Sequence, residues 1–430
     1  MPVSSAHFRV IVIGGGPSGA TVASLLARDG HRVLLLEKEH FPRFHIGESL
    51  LPCSTPLLEQ LGVLEQMERV FLPKHGAEFV TADGSLERRY AFGDGSVPGP
   101  SQAFEVERSE FDKILLDNAA RIGVDVRQGV QVTGVEFSDT EVRVEARSAE
   151  AGPLKFTAEF LVDASGQSSF LAGRLKLRSM DSQLRNYSVF SHFVGAERHS
   201  GLREGDISIV LVPEGWWWVI PLRNDRTSVG LVAPSASLKG QKPDTRFLES
   251  KIQSTPYLAR RLARAERVAD VRALSDWSYT STRFVGQRFA LVGDAAAFID
   301  PVFSTGVYLG MSGAFRAARA IDQVLRRDRT APRALADYER FVRRNVQIYR
   351  KFVHGFYDPA FVEVLLQPSD WMGLRAAITS LLAGFGVESA DVRWRASLFR
   401  MVARANRHLR LVPRLPERRS ARPGVLSPFR

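Results

Sequence analysis

The chain holds one cysteine, Cys53, in 430 residues. A lone thiol excludes an internal disulfide and any cysteine-based metal cluster, and the position reads as a small buried residue. No metal site is expected elsewhere, because no set of His, Asp and Glu has ligand spacing, and no Ser-His-Asp arrangement stands out. Also missing is an uninterrupted apolar run of the roughly 20 residues that a membrane-crossing helix requires. No charged-then-apolar leader precedes the first strand near Phe8, so a cytoplasmic protein without a membrane span is expected. Acids are scarce near the C-terminus, where residues 391–430 contain Asp391 and Glu417 against eleven arginines. That segment alone is +9 of a net +11, which leaves the rest of the chain close to neutral. Its last part, 413–430, is rich in Pro and Arg and is expected to be a solvated, flexible tail. An acidic partner or carrier protein is what such a charge would attract. Nucleic acid is not expected, because no binding module accompanies the charge.

What is present is a globular composition, 44% hydrophobic and 24% charged, long enough for two or three structural units around a large core. Apolar runs at 9–13 and 32–36, with a small-residue helical pattern at 17–29 between them, predict a βαβ opening. A helical pattern at 54–70, a loop carrying Lys74, a strand at 77–81, a helix at 109–121 and a strand with a hairpin at 124–145 continue this unit. It pauses at Asp163-Ala-Ser-Gly166. From Tyr187 to Pro234 apolar residues alternate with period two, and aromatics are frequent, which predicts an antiparallel sheet covering a substrate. The chain then returns with a buried strand at 289–292 and a long helix at 306–326, followed by helices at 334–353, 359–366 and 374–385. The expected class is α/β. A discontinuous nucleotide-binding domain (1–180 and 281–330) carries a substrate-covering β-sheet domain (181–280), a helical region (331–412) and the basic tail (413–430).

Gly14-Gly15-Gly16-Pro17-Ser18-Gly19 stands between the first strand and the first helix, and Glu37 ends the second strand eighteen residues after Gly19. Glycines at 14, 16 and 19 permit a tight turn and let backbone amides approach a pyrophosphate. The helix N-terminus adds positive potential, and Glu37 accepts from ribose hydroxyls. Only one such fingerprint occurs, so no second dinucleotide domain is expected. Further on, Leu291-Val-Gly293-Asp294-Ala-Ala resembles the second FAD fingerprint of flavoproteins built like aromatic hydroxylases. That resemblance implies a Rossmann-type FAD-binding domain in which Gly293 and Asp294 meet the ribityl chain. It also sets Arg108, in Val106-Glu-Arg-Ser-Glu-Phe-Asp112, against the cofactor, with Arg43, Glu48 and Ser49 facing it. Nothing beyond the presence of Cys53 argues for covalent attachment, so the FAD is expected to be non-covalent.

Three further segments narrow the resemblance. Phe41-Pro-Arg-Phe-His-Ile-Gly47-Glu48-Ser49-Leu-Leu-Pro52 is similar to the stretch after the ribose acid in flavin-dependent halogenases. Trp216-Trp-Trp218-Val-Ile-Pro221 contains their Trp-x-Trp-x-Ile-Pro pattern, and Asp300-Pro301-Val-Phe303-Ser304-Thr305-Gly306 resembles their loop beside the flavin ring. The similarity spans about residues 8–325 and implies a monooxygenase-type enzyme that uses reduced FAD and O2. In that family a flavin hydroperoxide meets halide, and a lysine across a tunnel relays or positions hypohalous acid. Lys74, in Pro73-Lys-His-Gly-Ala-Glu-Phe79, matches that lysine. Ser304 and Thr305 would hold halide or developing charge at a helix start, Pro301 and Gly306 would border the flavin, and Trp216, Trp218 and Phe303 would shape the substrate pocket. His45 and His75 could serve as bases.

Phe303 stands where halogenases of free tryptophan carry a glutamate, which directs expectation to a bulky or protein-tethered indole, phenol or pyrrole. The residues leave the transferred atom open between halogenation and hydroxylation, the latter including oxidation of a peptidyl tryptophan. An alkene reductase of the isoprenoid kind fits less well, since its Gly-Glu-Gly element is replaced by Ser304-Thr305-Gly306. A non-enzymatic FAD-containing assembly factor fits least. NAD(P)H, directly or through a flavin reductase, is the expected reductant.

Overall fold

The computed structural model describes residues 7–275, 278–367, 371–386 and 389–415. Most of the predicted basic tail, 416–430, lies outside them. At the centre of a parallel sheet stands the strand His7–Ile13, paired on one side with Val33–Leu36 and on the other with Gly152–Asp163. Asp125–Arg127 and Phe289–Leu291 extend the parallel order at the two ends. A parallel strand is covered on both faces, which is why Val33–Leu36 is four buried aliphatics in a row instead of an alternation. The helix Pro17–Arg28 begins on Pro17, whose missing N–H costs nothing in the first turn. Its small residues Ala20 and Ala23 let it pack closely against the long helix Gly306–Leu325.

The second sheet runs in the order Glu266–Arg267, Asn186–Val194, Arg226–Pro234, Gly215–Pro221, Ile207–Val212, Gly76–Thr81, Glu87–Ala91. It is antiparallel, as the alternation predicts, except that Ile207–Val212 lies parallel to Gly76–Thr81. Residues 76–91, expected within the nucleotide-binding unit from their position in the chain, therefore pair into the second sheet. Backbone pairing across more than 120 positions decided this, and local periodicity carries no trace of it. Both faces of the sheet are buried. Trp216 and Trp218 pack with Phe79 and Ile209 on the face toward the C-terminal helices, whereas Trp217, Val80, Val210 and Val219 face the helices Thr245–Gln253 and Pro256–Arg261.

Two local expectations change. The helix expected at 54–70 is two, Thr55–Leu61 and Leu64–Val70, separated where Gly62 adopts φ +75°. Lys74 ends a short strand, Leu72–Lys74, paired with Ala103–Glu105, and is not in a loop. The C-terminal region consists of the helices Ala331–Phe356, Pro359–Leu366, Leu374–Leu382 and Ala390–Leu409. In the last, Val392, Ala396, Phe399 and Ala403 form an apolar stripe that joins the core containing Phe352 and Phe361. Much of the basic charge thus sits on a docked helix. Among the described residues no helix is long and apolar enough to cross a membrane.

Candidate cofactor cavity and active site

Four parallel strands end in residues that line one cavity of about 410 Å³: Gly14 after His7–Ile13, Glu37 after Val33–Leu36, Ala164 after Gly152–Asp163, and Gly293 after Phe289–Leu291. The opening lies at the carboxyl ends of the strands, where doubly wound sheets bind ligands. Gly14 has φ +98°, and a Cβ there would stand 2.4 Å from the Ala164 carbonyl oxygen. Gly293 has φ +65°, and its Cβ would meet Ser18 Oγ at 2.3 Å. The two glycine motifs, almost 280 residues apart, are therefore seated directly on each other. Glu37 accepts from the Gly15 amide at 2.7 Å and the Glu39 amide at 2.9 Å, which fixes the turn around the ribose position.

Across the cavity, Arg108 grips Asp112 in a bidentate pair at 2.7 and 2.9 Å and donates to the Ile46 carbonyl at 2.7 Å. It thereby pins the 46–47 loop to its own helix. Asp294 is pushed up to about 7 by burial, with Arg108 pulling the other way. His45 is driven down to about 4 by burial and by Arg108, so at neutral pH its ring is uncharged and donates or accepts without acting as a cation. Ser304 holds φ +55°, a left-handed conformation unusual for a residue with a Cβ, just before the helix Gly306–Leu325. Asp300 supports this turn by accepting from the Val302 amide at 3.1 Å.

These groups fit FAD. Two loop-to-helix starts offer free amides, Glu37 and Asp294 offer carboxylates at the ribose and ribityl positions, and both Arg43 Nη1 and Glu48 Oε2 are buried without a hydrogen-bond partner among the described residues. Of the residues singled out in the sequence, Gly14, Gly16, Ser18, Glu37, Arg43, Glu48, Ser49, Arg108, Gly293, Asp294, Pro301, Ser304, Thr305, Gly306, Trp216 and Trp218 all line this cavity. Gly19, Lys74 and Phe303 do not. Gly19 lies beneath it, with room for no Cβ, since that atom would fall 1.9 Å from the Gly14 carbonyl oxygen.

Lys74 is fully buried one layer behind the cavity wall. Its Nζ donates to Ser49 Oγ at 2.8 Å and to the Leu50 carbonyl at 3.1 Å, and lies 5.3 Å from the centre of the Phe92 ring. Ser49, which does line the cavity, donates in turn to Glu105 at 3.0 Å, and Glu105 Oε1 is 3.9 Å from Lys74 Nζ. Burial lowers the Lys74 pKa although Glu105 and Asp206 oppose it. Burial likewise pushes Glu105 up to about 8, against the pull of Lys74. Between an unfolded carboxylate pKa of 4.5 and about 8, folded Glu105 keeps a proton that the unfolded chain has lost. Its contribution to stability therefore falls as pH rises through that window. In Glu105→Gln this slope is removed, and the melting temperature is expected to decline less than that of the wild type between about pH 5 and pH 8.

Several members of the site carry no sequence signal of their own. His192 Nε2 pairs with Glu48 at 2.7 Å. Trp216 Nε1 donates to the Tyr357 hydroxyl at 3.1 Å, and Tyr357 and Asn186 both donate to Asp300, at 2.6 and 2.8 Å. The tryptophan wall, the flavin-side loop and the C-terminal helices are thus tied into one network. Phe303 turns away from the cavity into an aromatic cluster, edge-on to Phe352 and Phe356 at 6.3 and 5.7 Å. Its ring, expected to shape the substrate pocket, is thus one of the residues that do not line the cofactor cavity. Phe303→Ala should cost roughly 3–5 kcal/mol of stability through the cavity it leaves, read as a lower urea midpoint.

A parallel-sheet nucleotide fold with two facing glycine motifs and an apolar wall opposite them defines an FAD-dependent oxidoreductase, and residues 7–349 match the FAD binding domain family model. Relatives are more specific. A 1H-pyrrole-2-carbonyl-(peptidyl-carrier protein) chlorinase of Pseudomonas fluorescens is 31% identical over 83% of this chain and 84% of its own length. A tryptophan 2-halogenase of Chondromyces crocatus is 35% identical over 81% of this chain and 68% of its own. The solved structure of the myxobacterial chondrochloren halogenase superposes with a TM-score of 0.77 at 32% identity, covering 92% of this chain and 97% of that one. The chain belongs to the flavin-dependent halogenases.

Proposed function

We propose that the protein halogenates an electron-rich aromatic ring of phenol, pyrrole or indole type, using reduced non-covalent FAD, O2 and a halide. Bound FAD supplies the activation of O2 that oxidises halide to hypohalous acid. The chain's own residues hold, shield and direct. Free amides at Thr305 and Gly306, at the start of a 20-residue helix, present positive potential to halide. Trp216 and Trp218 close the cavity with an apolar wall that keeps water from the reacting atoms.

The reading rests on one observation above the others, a buried amine one hydrogen bond behind a cavity-lining serine. Turned past Ser49 into the cavity, Lys74 would donate to the oxygen of the hypohalous acid and polarise the halogen. The ring carbon takes the halogen, and the ring proton leaves with the hydroxide as water. Reducing equivalents come from NAD(P)H, directly or through a flavin reductase. Delivery of the ring on a carrier, as in the pyrrole chlorinase, suits the basic C-terminal region.

Mixing anaerobically reduced holoenzyme with O2, bromide and a phenolic trap tests the proposal by mass spectrometry. Brominated trap that requires bromide is the expected product. A hydroxylated trap formed equally well without bromide would replace halogenation with ring hydroxylation, the rival outcome for the same cavity.

A further inference from the structure

A second cavity, of about 800 Å³, lies on the other side of Phe298 and Ile299, two residues that line both it and the cofactor cavity. Its walls come from the helices Ala331–Phe356 and Ala390–Leu409 and from the strands Arg178–Met180 and Tyr279–Ser281. Five permanent cations line it, Arg350, Lys351, Arg400, Arg404 and Arg407, against two acids, Asp181 and Asp358. Both acids are engaged. Asp358 accepts from Arg407 Nε at 2.8 Å, and Asp181 accepts from His354 at 3.0 Å with Arg350 at 3.5 Å. Lys351, Arg400 and Arg404 have no acid partner among the described residues.

Arg400 Nε is buried with no acceptor among the described residues, and Arg404 follows one turn later on the same helix. Two guanidinium groups at that spacing repel each other, and a desolvated donor without an acceptor is unfavourable, unless an anion completes them. The lip is apolar in part, since Met180 lines the groove at 48% exposure and Met401, beside Arg400, is 58% exposed. The chain's own last residues are a poor occupant, because 416–430 hold four arginines and one acid. The volume falls within the about 300–1,000 Å³ of sites for extended organic ligands, far beyond what one small anion needs.

We propose that this groove docks an acidic carrier protein and seats the phosphodiester of its pantetheine-type arm on Arg400 and Arg404, so that the ring on the arm reaches the cofactor cavity past Phe298 and Ile299. The proposal rests on the reading that the protein oxidises an aromatic ring, and it names what delivers that ring. Arginine is suited to the phosphodiester because its planar fork meets two oxygens at once. The unpaired positive field attracts the partner's acids, and the exposed methionines adapt to its apolar contacts.

The experiment uses the full-length holoenzyme, the double variant Arg400→Glu/Arg404→Glu and the milder Arg400→Gln/Arg404→Gln, with melting temperatures checked for all three. Binding is followed by fluorescence anisotropy of an acidic peptidyl carrier protein bearing a pyrrole-2-carbonyl pantetheine arm, the same carrier without its arm, the free phosphopantetheine thioester, and NADPH. The loaded carrier should bind the wild type more tightly than the armless one, weaken with salt, and lose about tenfold or more in affinity to the charge-reversed variant. The glutamine variant should fall between them. Bromination of a small free phenol should be unchanged in both variants, while kcat/KM for the carrier-borne ring drops. Equal affinity of the loaded carrier for wild type and both variants overturns the proposal. Tight binding of NADPH that the variants abolish, with no carrier binding, overturns it in favour of a dinucleotide site. Carrier binding that depends on Arg400 and Arg404 without any bromination would uphold the groove and fail only the halogenation reading.

Discussion

Lys74→Met is expected to bind FAD and consume O2 as the wild type does, and to release the reducing equivalents as peroxide with almost no brominated product. The amine is buried, hydrogen-bonded to Ser49 and the Leu50 carbonyl, and removed by one layer from the cofactor cavity. Its loss should therefore leave the chemistry at the flavin intact and strip out the donor that directs the oxidised halogen. Removing one preorganised donor from a water-excluded site typically lowers turnover by roughly 10²–10³-fold, and that is the expected fall in bromination rate. Methionine is preferred to alanine because it fills most of the vacated volume. Glu105, already pushed up to about 8, loses the charge that lowers it and stays protonated, so no bare carboxylate is left behind. Ser49→Ala should retain Lys74 and show a smaller loss. The decisive measurement is peroxide yield beside brominated product in a single turnover. A parallel fall of both in Lys74→Met would place the lysine's action on the cofactor and overturn its assigned role.

Gly14→Ala is expected to yield a protein without flavin. The added methyl would lie 2.4 Å from a backbone carbonyl oxygen of the neighbouring strand end, at a φ of +98° that alanine strongly disfavours. Neither strain can be relieved by a side-chain rotation, because the obstructing atom belongs to the central sheet. Gly293→Ala differs in kind: its methyl would meet Ser18 Oγ, a side chain that can rotate, although φ +65° remains unfavourable. Absorbance of the purified proteins near the flavin bands should show the Gly14 variant below about a tenth of wild-type occupancy, with Gly293→Ala intermediate. Equal occupancy in Gly14→Ala would mean that the first fingerprint does not cradle the pyrophosphate.

How legible the site was depended on the type of signal. Short motifs whose chemistry is local were readable: Gly14, Gly16 and Ser18 of the first turn, Glu37, the Gly293-Asp294 pair, and Pro301, Ser304, Thr305 and Gly306 of the loop line one cavity. Groups that act only through partners distant in sequence were not. Glu105 belongs to no motif, yet it is the buried acid beside Lys74. His192, Asn186 and Tyr357 carry no motif, and become part of the site only because a sheet and a C-terminal helix converge on Glu48 and Asp300. Phe303 is the reverse case. Its place in a motif suggested a pocket residue, but apolar partners on the helix Ala331–Phe356 take its ring.

The sequence by itself determined the cofactor fold and the family of chemistry, because βαβ geometry, tight glycine turns and a helix-start loop are dictated within a few residues of each other. It also determined that positive charge accumulates near the C-terminus, since charge is additive along a chain. Tertiary structure decided which sheet the strands at 76–91 join, that Lys74 lies behind Ser49 instead of in a surface loop, and that part of the basic charge faces a groove sharing a wall with the cofactor cavity. Each of these depends on pairing or packing between residues far apart in sequence, where burial and not local pattern sets the free energy.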